Sequence, residues 1–178
     1  MQKREAIVFI DGSNFYHNSK GVVKSFGRID FKLLSNLICS KFELTLKQIR
    51  YYNAVPDIGD NKETYYNHLK FLDKLKRDQI IVRTRKLKYL RDLNLKIEKG
   101  VDVLIASDMI RKTLAEKESK VCLLISGDSD FIPVMEIIKN SGNEVIVCSP
   151  KQGFSNELRQ GKFRYLILNK EDLEKCIK

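Results

Sequence analysis

Cysteine, histidine, proline and tryptophan are all scarce in this chain. It has 178 residues, of which four are cysteine, two histidine, three proline and none tryptophan. Cys39, Cys122, Cys148 and Cys176 are far apart and form no CxxC pair. So few thiols and imidazoles argue against a zinc site, and a chain of this size needs no disulfide framework to fold. Cys122 and Cys148 lie in apolar runs, and we predict that both are buried strand residues.

Long hydrophobic runs are also missing. No apolar segment approaches the roughly 18–20 residues of a membrane-spanning helix. The first apolar run, residues 6–10, is too short for the hydrophobic part of a secretion signal, and no small-residue cleavage site follows it. The sequence therefore predicts a cytoplasmic protein. Its 43% of hydrophobic residues is typical of a globular protein, and the length fits a single domain over residues 1–178.

Acidic residues are outnumbered by basic ones. There are 23 Asp and Glu residues against 33 Lys and Arg, which gives a net charge of +10. Much of this excess lies between Lys70 and Lys99. Concentrated positive charge favours an anionic partner, nucleic acid first, although a solvated surface is an ordinary alternative. The candidate nucleic-acid contacts are Arg83, Arg85, Lys86, Lys88, Arg91 and Lys99.

Four short segments are apolar almost throughout, which is typical of strands that a parallel sheet covers on both faces. They are residues 6–10, 80–82, 121–125 and 144–148, with residues 49–55 and 165–168 as weaker candidates. Helical spacing of apolar residues lies between them, for example after Asp30, a predicted N-cap. The alternation predicts the α/β class, as a three-layer sandwich around a mainly parallel sheet. Residues 152–162, polar and with two glycines, are predicted to form a mobile loop.

Three aspartates come directly after two of the predicted strands. Asp11 follows residues 6–10, and Asp128 and Asp130 follow residues 121–125. Sites in open parallel sheets form outside the carboxyl ends of the strands, and Asp102 begins a predicted helix on the same rim. Carboxylates this close repel one another unless a cation binds or their pKa values rise. Oxygen ligands of this kind predict Mg²⁺ or Mn²⁺, while turn formation and helix capping explain any one of these aspartates taken singly.

Other polar residues accompany the aspartates. Asn14 could hold a ligand or a phosphate, or it could cap a helix. Ser13 and Ser126 could donate hydrogen bonds to carboxylates or phosphate oxygens, but neither has a His or Lys at motif spacing, which argues against a serine nucleophile. Asp108 lies six residues after Asp102. That spacing is about 240° around a helix, so the two do not share a face.

Three segments of the sequence resemble the signature segments of NYN domains, in the LabA-like branch of the PIN-like nuclease superfamily. They read "VFIDGSNFY", "KGVDVLIASDMI" and "LLISGDSDFIPVMEIIKNSGNEVIVCSP". The resemblance extends over residues 7–150, followed by a C-terminal loop, strand and helix in residues 151–178. It implies a Rossmann-like sheet with strand order 3-2-1-4-5. Its acidic cluster would be Asp11, Asp102, Asp128 and Asp130, with Asn14 beside it, and Asp108 also matches an acid often present in the second segment.

The activity that this resemblance implies is metal-dependent cleavage of RNA. One or two Mg²⁺ or Mn²⁺ ions on the four aspartates would activate water for hydrolysis of the phosphodiester bonds of single-stranded RNA. Asn14 would be a further catalytic residue beside these aspartates. The basic segment between Lys70 and Lys99 would hold the RNA backbone.

Two other functions compete with this one. A non-catalytic RNA-binding or regulatory module would retain the acidic pocket without turnover. A phosphotransferase with an aspartate nucleophile usually has a second Asp two residues later, and that position is Ser13. Neither GxxxxGK[ST] nor GxGxxG is present, so a nucleotide switch is unsupported. The sequence leaves the oligomeric state open, a homodimer included.

Overall fold

Eight strands and seven α-helices are present in the described part of the chain. The computed structural model describes residues 4–23, 26–59, 61–90, 95–97 and 100–178. The strands are β1 (Glu5–Asp11), β2 (Thr45–Val55), β3 (Ile81–Lys86), β4 (Lys88–Leu90), β5 (Leu95–Ile97), β6 (Val121–Ile125), β7 (Glu144–Pro150) and β8 (Arg164–Leu168). The helices are α1 (Gly12–Ser19), α2 (Phe31–Lys41), α3 (Lys62–Arg77), α4 (Val101–Ile110), α5 (Ile132–Asn140), α6 (Asn156–Gln160) and α7 (Lys170–Glu174).

Six of the strands form one parallel sheet. Their order is β3-β2-β1-β6-β7-β8, and each neighbouring pair is parallel. Counted along the chain within this sheet, the order is 3-2-1-4-5-6, which confirms the predicted α/β fold and adds one edge strand. Strands β4 and β5 form a separate antiparallel hairpin that the sequence did not predict.

The central strands are apolar throughout because both faces of the sheet are covered. In β1, Val8 and Ile10 belong to one hydrophobic core, and Ile7 and Phe9 belong to the other. Successive side chains of a strand point to opposite faces, so one apolar strand supplies both cores. Residues of α1, α2, α3 and α7 pack in the first core, and residues of α4, α5 and α6 pack in the second.

Local signals set several helix ends. Asp30 caps α2 as predicted, because its Oδ1 accepts hydrogen bonds from the Lys32 and Leu33 amides at 2.8 and 2.9 Å. Pro133 lies in the first turn of α5, where its missing N–H is not needed. After α5, Gly142 has a φ of +79° and turns the chain toward β7.

The prediction of a mobile loop at residues 152–162 was wrong. The chain forms a 3₁₀ turn (Lys151–Gly153) and then helix α6. Ser155 caps α6 by accepting from the Leu158 amide at 3.2 Å, and both Phe154 and Leu158 are buried. Two buried apolar side chains therefore order a segment whose composition looks like a loop.

None of the four cysteines forms a disulfide bond. Cys39, Cys122, Cys148 and Cys176 are all free thiols and all buried. Burial raises the pKa of the Cys39 and Cys176 thiols to about 11, so both remain protonated at neutral pH. Within the described ranges, no helix is both long enough and apolar enough to cross a bilayer. The cytoplasmic location stays a prediction.

Candidate active site at the acidic edge

Strands β1 and β6 are neighbours at the centre of the sheet, and their carboxyl ends meet. Ile10 is paired with Ile125, so Asp11 and Ser126 follow side by side at the same edge. The order of the strands reverses between these two strands, which is the place where open α/β sheets form their sites. We call the four aspartates at this place the acidic edge: Asp11, Asp102, Asp128 and Asp130.

Asp11 is the buried member of the acidic edge. Its side chain is 3% exposed and lies on the same face of β1 as Ile7 and Phe9, the face covered by α4. One carboxylate oxygen accepts from the Asn14 amide at 3.0 Å, which caps α1. The other accepts from the Ser126 hydroxyl at 3.2 Å. These donors fix the orientation of the carboxylate.

Ser126 connects Asp11 with the second aspartate motif. While its hydroxyl donates to Asp11, its oxygen accepts from the Asp128 amide at 3.3 Å. Asp128 in turn caps a 3₁₀ turn (Ser129–Phe131) by accepting from the Asp130 amide at 3.0 Å. Turn and capping chemistry is therefore present at these aspartates, and it holds Asp128 and Asp130 beside Asp11.

Asp102 approaches the same place from the first turn of α4. Although Asp102 as a whole is exposed, partial desolvation raises the pKa of its carboxyl, and the negative charges of Asp128 and Asp130 raise it further. These three carboxylates are thus near enough to repel one another through their charges. Among the described residues, no cation contributes to this shift.

Replacing Asp102 with Asn should stabilise the metal-free protein at pH 7. A raised folded-state pKa means that folding favours the protonated carboxyl, so the ionised form at neutral pH opposes folding. The gain should be present above the folded-state pKa and vanish as the pH falls toward the ordinary pKa of Asp. Thermal melts in EDTA across this pH range measure it, with Asp73→Asn, an exposed aspartate on α3, as the control. Equal melting of wild type and Asp102→Asn at pH 7 would contradict the repulsion.

Asn14 connects helix α1 with the loop that follows β6. Its side-chain oxygen accepts from the Gly127 amide at 2.9 Å and from the Asn18 side chain at 2.8 Å. The N-cap of α1 is Asp11, so the prediction that Asn14 could cap a helix was wrong. Ser13 is half-buried in the first turn of α1.

Sequence reasoning missed the contact between Gly127 and Gly153. A Cβ on Gly127 would lie 1.7 Å from the Gly153 carbonyl oxygen, so no larger residue fits without moving the backbone. The Gly127 carbonyl also accepts from the Ser155 amide at 3.0 Å. Two glycines in polar segments were the available signal, but their pairing is a tertiary contact. It places residues 151–160 against the acidic edge.

Asp108 is not part of the acidic edge. Its carboxylate pairs with Arg50 at 2.9 Å and accepts from the Tyr52 hydroxyl at 2.8 Å, and the Asp108 and Arg50 side chains are both only 4% exposed. Arg111 binds its other oxygen at 2.8 Å. Burial alone would raise the pKa of Asp108, but the hydrogen bonds from Arg111, Arg50 and Tyr52 hold it at about 2. Asp108 is therefore a neutralised structural carboxylate.

The donor set of the acidic edge suits a hard cation, although it is not closed around one. Mg²⁺ and Mn²⁺ take oxygen ligands, and every member of the acidic edge supplies carboxylate oxygens. In the ranges that the structure describes, no three His, Cys, Asp or Glu side chains are grouped as a metal site. Asp102 and Asp130 are exposed, so their side chains are free to turn inward.

Four of the six predicted nucleic-acid residues lie within the described ranges. Arg83, Arg85 and Lys86 lie within β3 and not after its end, which corrects the predicted strand of residues 80–82. The Arg83 guanidinium is 3.9 Å from Asp108, so part of its charge faces the protein. Lys88 belongs to β4. The remaining two candidates, Arg91 and Lys99, lie outside the described residues.

Known proteins are similar to this chain in sequence or in fold. The chain is 27% identical over 166 residues to the low amplitude and bright protein LabA of Synechococcus elongatus, a match that covers 91% of this chain and 82% of that protein. A solved structure of a protein of unknown function from Vibrio parahaemolyticus is similar with a TM-score of 0.67 at 20% identity, covering 97% of this chain and 99% of the other. At that identity the likeness shows the fold alone.

The family comparison covers nearly the whole chain. The NYN domain family matches residues 5–169, which include every strand of the large sheet and all four aspartates of the acidic edge. The chain therefore belongs to the NYN domain family, which is generally nuclease-like.

Proposed function

We propose that this protein is a metal-dependent ribonuclease that hydrolyses the phosphodiester bonds of single-stranded RNA at the acidic edge. The observation that carries the proposal is the meeting of Asp11 and the Asp128 loop at the carboxyl ends of neighbouring strands, where Ser126 bonds to both. The charges of Asp128 and Asp130 also raise the pKa of Asp102. Unneutralised carboxylates at the carboxyl ends of central strands destabilise the folded protein unless a cation binds there. Membership of a nuclease-like family supports the same chemistry.

Asp11, Asp102, Asp128 and Asp130 would hold Mg²⁺ or Mn²⁺. When bound, such an ion activates water, polarises the scissile phosphate and stabilises the leaving oxygen. Asp11 is the best oriented of the four, because the Asn14 amide and the Ser126 hydroxyl fix its two oxygens. The Ser126 hydroxyl donates to a carboxylate, so it has the role of a positioning group and not of a nucleophile.

Basic side chains flank the acidic edge on both sides. Arg83 and Arg85 lie on β3, two strands away from β1 in the sheet. On the other side, Lys151 and Arg159 lie in the segment that packs against Gly127. The Arg159 guanidinium donates to the Lys151 carbonyl at 3.3 Å and lies over the Phe154 ring, while its buried Nε has no hydrogen-bond partner among the described residues. Both flanks could neutralise backbone phosphates of a strand that crosses the site.

Arg83→Ala combined with Arg85→Ala should weaken binding to unrelated single-stranded RNAs. Each phosphate contact that is lost should flatten the slope of log K against log salt concentration by roughly 0.7. Affinity titrations at several salt concentrations measure this slope, with Lys170→Gln on α7 combined with Lys175→Gln at its C-cap as a charge-matched control (the α7 control). An unchanged slope would place the RNA on the other flank, where Lys151→Ala/Arg159→Ala is the corresponding variant.

The proposed function is tested by incubating the purified chain with single-stranded RNA and either Mg²⁺ or Mn²⁺. Cleavage should require the metal and stop when EDTA is added. RNA binding without cleavage under all these conditions would favour the non-catalytic RNA-binding module instead. Neither binding nor cleavage would contradict both functions.

A further inference from the structure

A second charged site lies at the opposite end of the sheet from the acidic edge. There, at the amino ends of β6, β7 and β8, the surface contains a cavity of about 380 Å³. This volume lies within the range of small-ligand pockets, roughly 300–1,000 Å³. Its lining includes five cationic side chains and one carboxylate: Arg4, Lys120, Lys139, Lys162, Arg164 and Glu144. Sites of open parallel sheets lie at the carboxyl ends, so the proposed nuclease site does not account for this cavity.

The single carboxylate holds the two arginines in place. Glu144 pairs with Arg4 at 2.5 Å through one oxygen and with Arg164 at 2.6 Å through the other. Burial would raise the pKa of Glu144, but hydrogen bonds and charge from Arg4 and Arg164 outweigh this, and its pKa is lowered. Glu144 is therefore ionised at neutral pH and already has two cationic partners.

The three lysines of the cavity are not paired with its carboxylate. Among the described residues, Lys120, Lys139 and Lys162 have no carboxylate partner. Lys139 is nevertheless positioned, because its Nζ donates to the Lys162 carbonyl at 2.5 Å and lies 5.4 Å from the centre of the Phe163 ring. Like charges around one cavity repel one another in the same way as the aspartates at the other edge, and an anion would relieve that repulsion.

We propose that this amino-edge cavity binds phosphate groups, carried by a nucleotide or by an RNA chain. Several ammonium and guanidinium groups converge from different elements, and a phosphate has oxygens enough to accept hydrogen bonds from several of them at once. The cavity surface also includes Phe163 and Val145, which provide an apolar floor beside the cations. The proposal concerns a site remote from the acidic edge and does not depend on cleavage there.

Pyrophosphate titration in EDTA tests the cavity directly. Wild type should bind it, and Lys120→Gln/Lys162→Gln should raise the dissociation constant by at least about tenfold, because two charge-assisted contacts are lost. Both lysines are exposed, so the fold should survive, which a thermal melt verifies. Lys170→Gln/Lys175→Gln removes the same charge elsewhere and should change the constant less than about twofold. No binding to wild type, or equal losses in both variants, would overturn the proposal.

The source of the phosphate is distinguished with single-stranded RNA in the same metal-free buffer. If the cavity holds an RNA backbone, Lys120→Gln/Lys162→Gln weakens RNA binding more than the α7 control, and pyrophosphate displaces RNA from wild type. If it holds a nucleotide, only pyrophosphate binding is lost. Asp11→Asn should leave pyrophosphate binding unchanged, so failure of the nuclease proposal and failure of this one are separate results.

Discussion

Replacing Asp11 with Asn should abolish RNA cleavage while the protein still folds and binds RNA. Asn keeps the size and one acceptor oxygen of the side chain, so the Asn14 amide retains its partner, while the Ser126 hydroxyl would have to accept from the new amide instead of donating. The charge that would hold the metal is lost. Outer-shell partners of metal ligands typically contribute 10–100-fold to activity, so losing a ligand should lower the cleavage rate by about 100-fold or more.

RNA affinity in this variant should be equal to that of wild type or higher, because a negative charge near the phosphates has been removed. Single-turnover cleavage and binding titrations separate the two quantities. Asp73→Asn, which removes an exposed carboxylate on α3, should cleave at the wild-type rate. Cleavage by Asp11→Asn at a rate near that of wild type would exclude Asp11 from the active site.

The second large effect is on stability, and it concerns the buried ion pair between Asp108 of α4 and Arg50 of β2. Asp108→Asn should lower the free energy of unfolding at pH 7 by about 3–5 kcal/mol, because it leaves Arg50 buried without its counter-charge. Arg111 also binds Asp108 but is 43% exposed, so the matched variant Arg111→Gln should destabilise the protein far less. Urea denaturation of both variants measures the difference, and similar losses would contradict the distinction.

The contribution of the Asp108–Arg50 pair to stability depends on pH in a direction set by the lowered pKa of Asp108. The folded-state pKa of Asp108, about 2, lies below its value in the unfolded chain, so the ionised carboxylate stabilises the fold. This contribution is complete above the ordinary pKa of Asp and is lost as the pH falls toward about 2. The cost of Asp108→Asn should therefore shrink in acid. A cost that stays constant down to pH 3 would mean that packing, and not charge, accounts for it.

The sequence was sufficient for the sheet because burial on both faces leaves a local signal. Residues 6–10, 121–125 and 144–148 are apolar at every or nearly every position, and each is a central strand. The aspartates could be placed at one edge for a related reason, since the carboxyl ends of parallel strands meet. The negative charges of Asp128 and Asp130 do raise the pKa of Asp102, and the binding of a metal there is our proposal.

What the sequence did not indicate depends on contacts between distant residues. Helix α1 was missed because its sequence, GSNFYHNS, has little apolar periodicity, and only Phe15 among its large side chains is buried. Arg50 and Asp108 are 58 residues apart in the sequence, so no local sequence pattern predicts their ion pair. The cavity at the amino edge likewise draws its cations from elements spread between Arg4 and Arg164. Such arrangements appear only once the chain is folded.

A crystal of the protein soaked in Mn²⁺ would test the central claim most directly, because anomalous scattering locates the ion without assuming its ligands. We predict Mn²⁺ density at the acidic edge, between the carboxylates of Asp11 and Asp128, with Asp102 or Asp130 turned toward it. The same soak of Asp11→Asn should show much weaker density or none. Ordered Mn²⁺ elsewhere on the protein, or an acidic edge without density at millimolar Mn²⁺, would contradict a metal-dependent nuclease site there.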